Sequence, residues 1–444
     1  MTRRRKIQLL LWTYFWLLIF EGALRKWVLP DLSNPLLVVR DPVALLAIWY
    51  GLPYLLRGAW QGWVIGFWAV GFLGVPIAVF VGHGDLLSAL YGARILFLHF
   101  PLIFLFPAVF QLEDAWKFVK ALIGIAIPMV VLMVFQYLLP PEHFLNIAPG
   151  GEGTAAFSGA MGRYRPPGTF SFITGTVGFC SLAMAGIVGW FISGPRPMPH
   201  WIWASATALV LALPISISRT MLFMYCIIGF AGVVASALSR GGMRNMSSGF
   251  AGILVAAILV SYLPIVQEAR EAFSVRWERA AKAEAGDQGV YGVVQARVFN
   301  DSLQYLDDFW EQPLLGLGLG LGTHVGAVRI TGNRRVAIAE NVWGATIGEL
   351  GPLLGFFLIG MRVALACLLL VLALIECRCG NSLPLLLGAY AVVFLVIGQT
   401  SQPTGLGFIV VSTGLMLAAL VRQQPIRTGF SFFEAQYSAA ARIP

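Results

Sequence analysis

The sequence predicts an all-α protein, a polytopic transmembrane helix bundle of about 12 helices with a large, partly helical external loop. Three observations predict it. Only 11% of the 444 residues are charged and 58% are hydrophobic. A soluble domain carries about 25% charged residues, so this chain cannot clothe itself in a water-facing surface. Several apolar runs reach the ~20 residues that cross a bilayer as a helix. The runs are continuous, whereas a membrane β-barrel shows alternating segments of about 10 residues.

Taken in order, the apolar runs place helices at 7–24, 36–56, 63–82, 86–110, 116–138, 170–193, 201–218, 219–238, 248–266, 345–376, 383–400 and 404–421. Residues 1–266 therefore carry helices one to nine with an external loop near 139–169. Residues 267–340 form a large periplasmic loop, and 341–444 carry the last three helices and a cytoplasmic tail. The basic N-terminus, Arg3 to Lys6, precedes a first helix that is retained, because no small-residue cleavage site follows. With that end inside, each inside segment holds a basic residue: Arg57, Lys117 and Lys120, Arg196, Arg240 and Arg244, Arg378, and Arg422 with Arg427. The turns at 83–85 and 400–404 hold no Lys or Arg. This is the positive-inside pattern of a bacterial inner-membrane protein with both termini cytoplasmic. The net charge of +9 is thus used for topology, and no nucleic-acid partner is expected.

The five cysteines lie in apolar runs or in an inside loop, so no disulfide is expected. Cys377-Arg378-Cys379 lacks the spacing of a zinc site, and no metal is expected either. Long loops in a compact protein usually carry function. In the second loop, Val294, Val298, Leu303, Leu306 and Phe309 or Trp310 recur at helical spacing, and Gln267 to Ala285 reads as a further polar helix.

Candidate chemistry gathers outside. Arg163 and Arg165 stand in Gly162-Arg-Tyr-Arg-Pro-Pro-Gly-Thr-Phe170. Guanidinium forks suit pyrophosphate oxygens, and they also snorkel to lipid headgroups. Arg219 follows Ile215-Ser-Ile-Ser218 at a tight corner, where it either enters the bundle mouth or caps a helix. Pro313-Leu-Leu-Gly-Leu-Gly-Leu-Gly-Leu-Gly322 lacks the spacing of a nucleotide loop and reads as a flexible apolar loop. Glu340 opens the next helix, either complementing its dipole or acting as a general base on a sugar hydroxyl. Glu349 lies deeper and reads as structural. Arg297, His324, Arg334 and Arg335 add polar groups in the loop, where plain solvation is the alternative. The Glu21 to Lys26 stretch and Arg40-Asp41 suit ion pairs at the membrane face. Arg94, inside an apolar run, needs a partner that the sequence does not name.

Four features in order resemble the O-antigen ligase and Wzy-type polysaccharide polymerase superfamily. They are Arg165-x-x-Gly168-x-Phe170, Ser218-Arg219, Pro313 to Gly320, and Glu340-Asn341 leading to Glu349-Leu350-Gly351. The resemblance implies transfer of a glycan from undecaprenyl pyrophosphate to an acceptor hydroxyl at the periplasmic face, with no cofactor or metal. It implies that Arg163, Arg165, Arg219 and Arg297 hold the pyrophosphate, and that Glu340 is the catalytic base with Arg219 beside it. His324 and Asn341 are further candidates. Membrane lipids and other glycan-assembly proteins are the implied partners. O-antigen ligases usually carry His-Asn where this chain has Glu340-Asn341, which favours a polymerase or a related transferase. The alternative is a transporter or flippase for a glycan or lipid-linked substrate, which needs a midplane site.

Overall fold

A computed structural model describes residues 1–151, 161–194, 199–239, 242–285, 313–332 and 342–421. These residues build helices and helical turns, with no sheet among them. The helices are α1 (Arg3–Ala23), α2 (Arg40–Arg57), α3 (Gln61–Phe80), α4 (Leu86–Arg94), α5 (Phe100–Val109), α6 (Leu112–Leu138), α7 (Ile173–Ser193) and α8 (His200–Ile215). They continue with α9 (Arg219–Leu238), α10 (Gly242–Ser261), α11 (Pro264–Ala285), α12 (His324–Thr331), α13 (Val342–Arg378), α14 (Leu383–Ile397) and α15 (Pro403–Ala419).

Every expected apolar run falls on helix, but the lengths sort them. Among the described residues, eight spans are long and apolar enough to cross a membrane, or nine if α10 and α11 count as one broken span. α8, α14 and α15 are apolar but shorter. α14 ends at Ile397 because Gly398 turns to extended backbone ahead of the polar Gln399 to Gln402 segment. The run at 86–110 is one span in two pieces, α4 and α5, joined by a wide helical turn at Ile95–His99. α13 is interrupted at Gly351, whose φ of 71° no side chain adopts easily, and Pro352 restarts the helix.

α7 is the hub and is buried along its whole span. It is rich in Gly, Ala, Ser and Thr, which lets neighbouring helices approach closely. At Gly186 a Cβ would meet Val119 Cγ1 at 2.6 Å, so α6 touches backbone there. α6, α8, α9, α10, α14 and α15 pack around it.

Hydrogen bonds sort the connections onto two ends of the bundle. At one end, Arg4 and Gln8 donate to Val109 O, Leu112 N donates to Val421 O, and Ser193 meets Ser382. At the other, Trp27 donates to Phe144 O, Lys26 to Gly168 O, Thr174 to Gln402, and Arg329 pairs with Asp85. The described parts of 139–169 and 313–332 share this second end with the 83–85 turn.

Candidate functional site

The Arg-x-x-Gly-x-Phe turn is fastened from several sides. Tyr164 turns inward and donates to Asn146 O at 2.9 Å, while Asn146 donates to the carbonyls of Gln136, Leu139 and Pro140. Gly168 has φ of 62°, and a Cβ there would meet Met129 Sδ at 2.6 Å, so only glycine fits. Its N–H donates to Gln136 Oε1, and its carbonyl accepts from Lys26 Nζ at 2.7 Å and Gln136 Nε2 at 3.1 Å. Phe170 is 1% exposed and packs edge-on to Phe408. Glycine and phenylalanine thus serve as anchors, and the arginine is what they position. Tyr164 is buried against Ala148, and Arg163 and Arg165 on either side of it are half-buried.

Arg165 lies near enough to two other cations for their charges to act on it. Arg219 is the first residue of α9, whose N-cap Ser218 accepts from Met221 N at 3.4 Å. Just before it, Ile217 adopts φ of 46°, and its carbonyl accepts from Arg276 Nη1 of α11 at 3.0 Å. α11 reaches the corner because it bends 92° from α10 at Tyr262-Leu263, ahead of Pro264. Burial, then the charges of Arg276 and Arg219, pull the Arg165 guanidinium down to about 9. Its Nε is fully buried and has no hydrogen-bond partner among the described residues. A buried guanidinium donor pressed by two like charges is what a bound anion would relieve. Arg163 is placed differently from the expectation of a pyrophosphate ligand: it pairs with Glu268 of α11 and lies 5.3 Å over the Tyr137 ring.

Glu340, Asn341, Arg297, Arg334 and Arg335 lie outside the described residues, as does the helix expected around 294–310. His324 is exposed at the start of α12, which packs on α4, and Arg329 of the same helix pairs with Asp85 at 2.8 Å. The flexible apolar loop expected from Pro313 to Gly322 is instead packed backbone. Leu317 and Gly318 donate to the carbonyls of Gly348 and Glu349, His83 Nε2 lies 3.1 Å from Leu319 O, and Gly322 donates to Glu349 Oε1 at 2.6 Å. Glu349 therefore fixes the glycine run to α13.

A second polar group lies inside the spans. Arg94 has its partner in Asp41, at 2.9 and 3.0 Å. Asp41 Oδ1 is also 3.0 Å from His99 Nε2, and His99 Nδ1 is 2.8 Å from the Tyr14 hydroxyl. Arg40 joins Tyr14 to Glu21, donating to Glu21 Oε2 at 2.8 Å. His99, Gln136 and Arg276 were not among the residues singled out by sequence. Polar residues in apolar runs were the available signal for the first two, whereas Arg276 is one of many charges on a polar helix.

Among the described residues, no three His, Cys, Asp or Glu side chains gather as metal ligands would. No protein-family model and no curated protein sequence matches the chain.

Proposed function

We propose that this protein is a glycan transferase of the inner membrane that draws its donor from a polyprenyl pyrophosphate lipid, with the second end of the bundle facing the periplasm and twelve helices crossing the bilayer. The observation that carries the reading is the grouping of Arg165, Arg219 and Arg276 around a buried guanidinium donor without a partner among the described residues. Such a site is costly in a membrane protein when empty, and an anionic headgroup offsets the cost. Charge grows on the pyrophosphate as its bond to the sugar breaks, and fixed cations stabilise that charge. Glu340 is the proposed base that takes the proton of the acceptor hydroxyl, so the oxygen attacks as the pyrophosphate leaves. Arg25 and Lys26, bonded to Ser171 and Gly168 behind the turn, help to hold it in place.

The test is to substitute Arg165, Arg219, Arg276 and Glu340 singly by alanine, match protein levels, and measure glycan chain length in membranes. The proposal expects short or absent polymer, and unchanged polymer in all four would sink it. One observation favours a second reading, transport of a lipid-linked glycan. The chain from Glu21 through Arg40, Tyr14 and His99 to Asp41 lies within spans, where ionisable groups mark proton relays. Glycan accumulation on the cytoplasmic side in the Asp41→Asn variant would support that reading instead.

A further inference from the structure

Arg163 and Arg165 are two residues apart in the chain, yet they end differently. Arg163 is held by Glu268, while the buried Nε of Arg165 has no acceptor among the described residues. A second buried donor lies close by. Tyr137 is 0% exposed, Arg163 covers its ring, and its hydroxyl has no hydrogen-bond partner among the described residues. The charges of Arg163 and Glu268 both act on that hydroxyl. One orphaned donor, the Tyr137 hydroxyl, and one carboxylate, Glu268, therefore meet at Arg163, two residues along the chain from Arg165.

The carboxylate comes from the helix that completes the cation group. Glu268, Ala272 and Arg276 are spaced four residues apart, so they lie along one face of α11, and Ala272 is fully buried on it. That face offers a negative charge to Arg163 and a positive one to the site beside Arg165. The Arg163 and Glu268 side chains stay 31% and 38% exposed. An ion pair this open to water is weak enough to exchange partners. A pyrophosphate brings more charge and more acceptor oxygens than one carboxylate.

We infer that Glu268 is a built-in competitor: it occupies Arg163 while the site is empty, and the pyrophosphate of the lipid displaces it and takes Arg163 and the Tyr137 hydroxyl as further ligands. This rests on the reading that the arginine group binds a lipid pyrophosphate. It makes Tyr137 a binding residue, and it accounts for Arg163 being paired where the Arg165 Nε has no partner among the described residues.

The experiment measures affinity of the full-length protein in nanodiscs for farnesyl pyrophosphate, with inorganic pyrophosphate as a second probe. Glu268→Gln keeps the shape and removes the charge, and it is expected to tighten farnesyl pyrophosphate about threefold. Arg163→Ala in the Glu268→Gln background cancels that gain. Tyr137→Phe, which removes one hydroxyl, weakens binding about fivefold. Affinity that is unchanged or weaker in Glu268→Gln overturns the competition, and unchanged affinity in Tyr137→Phe overturns the assignment of its hydroxyl. Inorganic pyrophosphate bound as tightly as farnesyl pyrophosphate overturns the lipid as the ligand. The underlying reading fails by a different result, namely equal binding of farnesyl pyrophosphate by wild type and Arg165→Ala.

Discussion

At the residue scale, the chemistry depends on what positions a guanidinium. On the proposed function, Arg165→Lys should lose transfer activity, because a point charge lacks the planar fork that grips two oxygens at once. Gly168 makes a second, separable prediction. Alanine there meets both an unfavourable φ of 62° and Met129 Sδ at 2.6 Å. Gly168→Ala should cost about 1–3 kcal/mol of stability, measured by thermal unfolding in detergent. Unchanged stability would mean that the turn is not held as described. Arg165 and Arg219 were legible in the sequence because arginines bordering apolar runs stand out. Arg276 was not, because only the bend ahead of Pro264 brings it to the Ile217 carbonyl. Arg163 carried the same signature as Arg165, and nothing local revealed that Glu268, far along the chain, would claim it.

Elements are held together by polar contacts as well as by packing. α2 and α4 are joined by Asp41 and Arg94, whose side chains are 16% and 8% exposed. Asp41→Asn leaves Arg94 without its carboxylate and should cost about 3–5 kcal/mol, read by unfolding in detergent. Adding Arg94→Met should recover much of that loss, because the pair is then absent rather than broken. Additive losses would contradict the pairing. α12 is tied to the turn before α4 by Arg329 and Asp85. The Arg329 guanidinium, with help from Ser88, holds the Asp85 carboxyl well below its ordinary 3.8. A carboxylate lowered in the fold stabilises it above the unfolded value, and that contribution is lost as acid protonates the group. Protection of the 324–331 amides, taken against the intrinsic exchange rate at each pH, should therefore fall as pH drops below about 4, and not between pH 5 and 8. The helices themselves were legible from apolar runs, which dominate the energetics in lipid. The breaks were less so. The turn at Ile95–His99 lies in a run whose polar members, Arg94 and His99, do not reveal a break, and the partners Asp41 and Tyr14 come from other helices.

Across the whole molecule, the hydrogen bonds that close the loops fall into two groups at opposite ends of one bundle. This gives a topology that can be checked without knowing the chemistry. Single cysteines at Glu142 and Glu271, in a background without native cysteines, should react with a membrane-impermeant maleimide from the same side of the membrane. Cysteines at Arg5 and Lys117 should react only from the other. Labelling of all four from one side would break the two-ended arrangement. The charge pattern made the grouping of connections at two ends readable, and the labelling decides whether the end with the basic short loops faces inward. The count of spans was not readable in the same way. α8, α14 and α15 are as apolar as their neighbours but only 16, 15 and 17 residues long, and an apolar run read by eye does not show where a helix inside it stops.

The central claim is that the arginine group at the second end holds the pyrophosphate of a lipid donor during glycan transfer. The most direct measurement is release of free polyprenyl pyrophosphate from a lipid-linked glycan by the purified protein in nanodiscs. Release is expected from the wild type, at a rate at least about 100-fold above that of Arg165→Ala, since a preorganised donor to developing charge is worth that much. No release by the wild type, or equal release by Arg165→Ala, would contradict it.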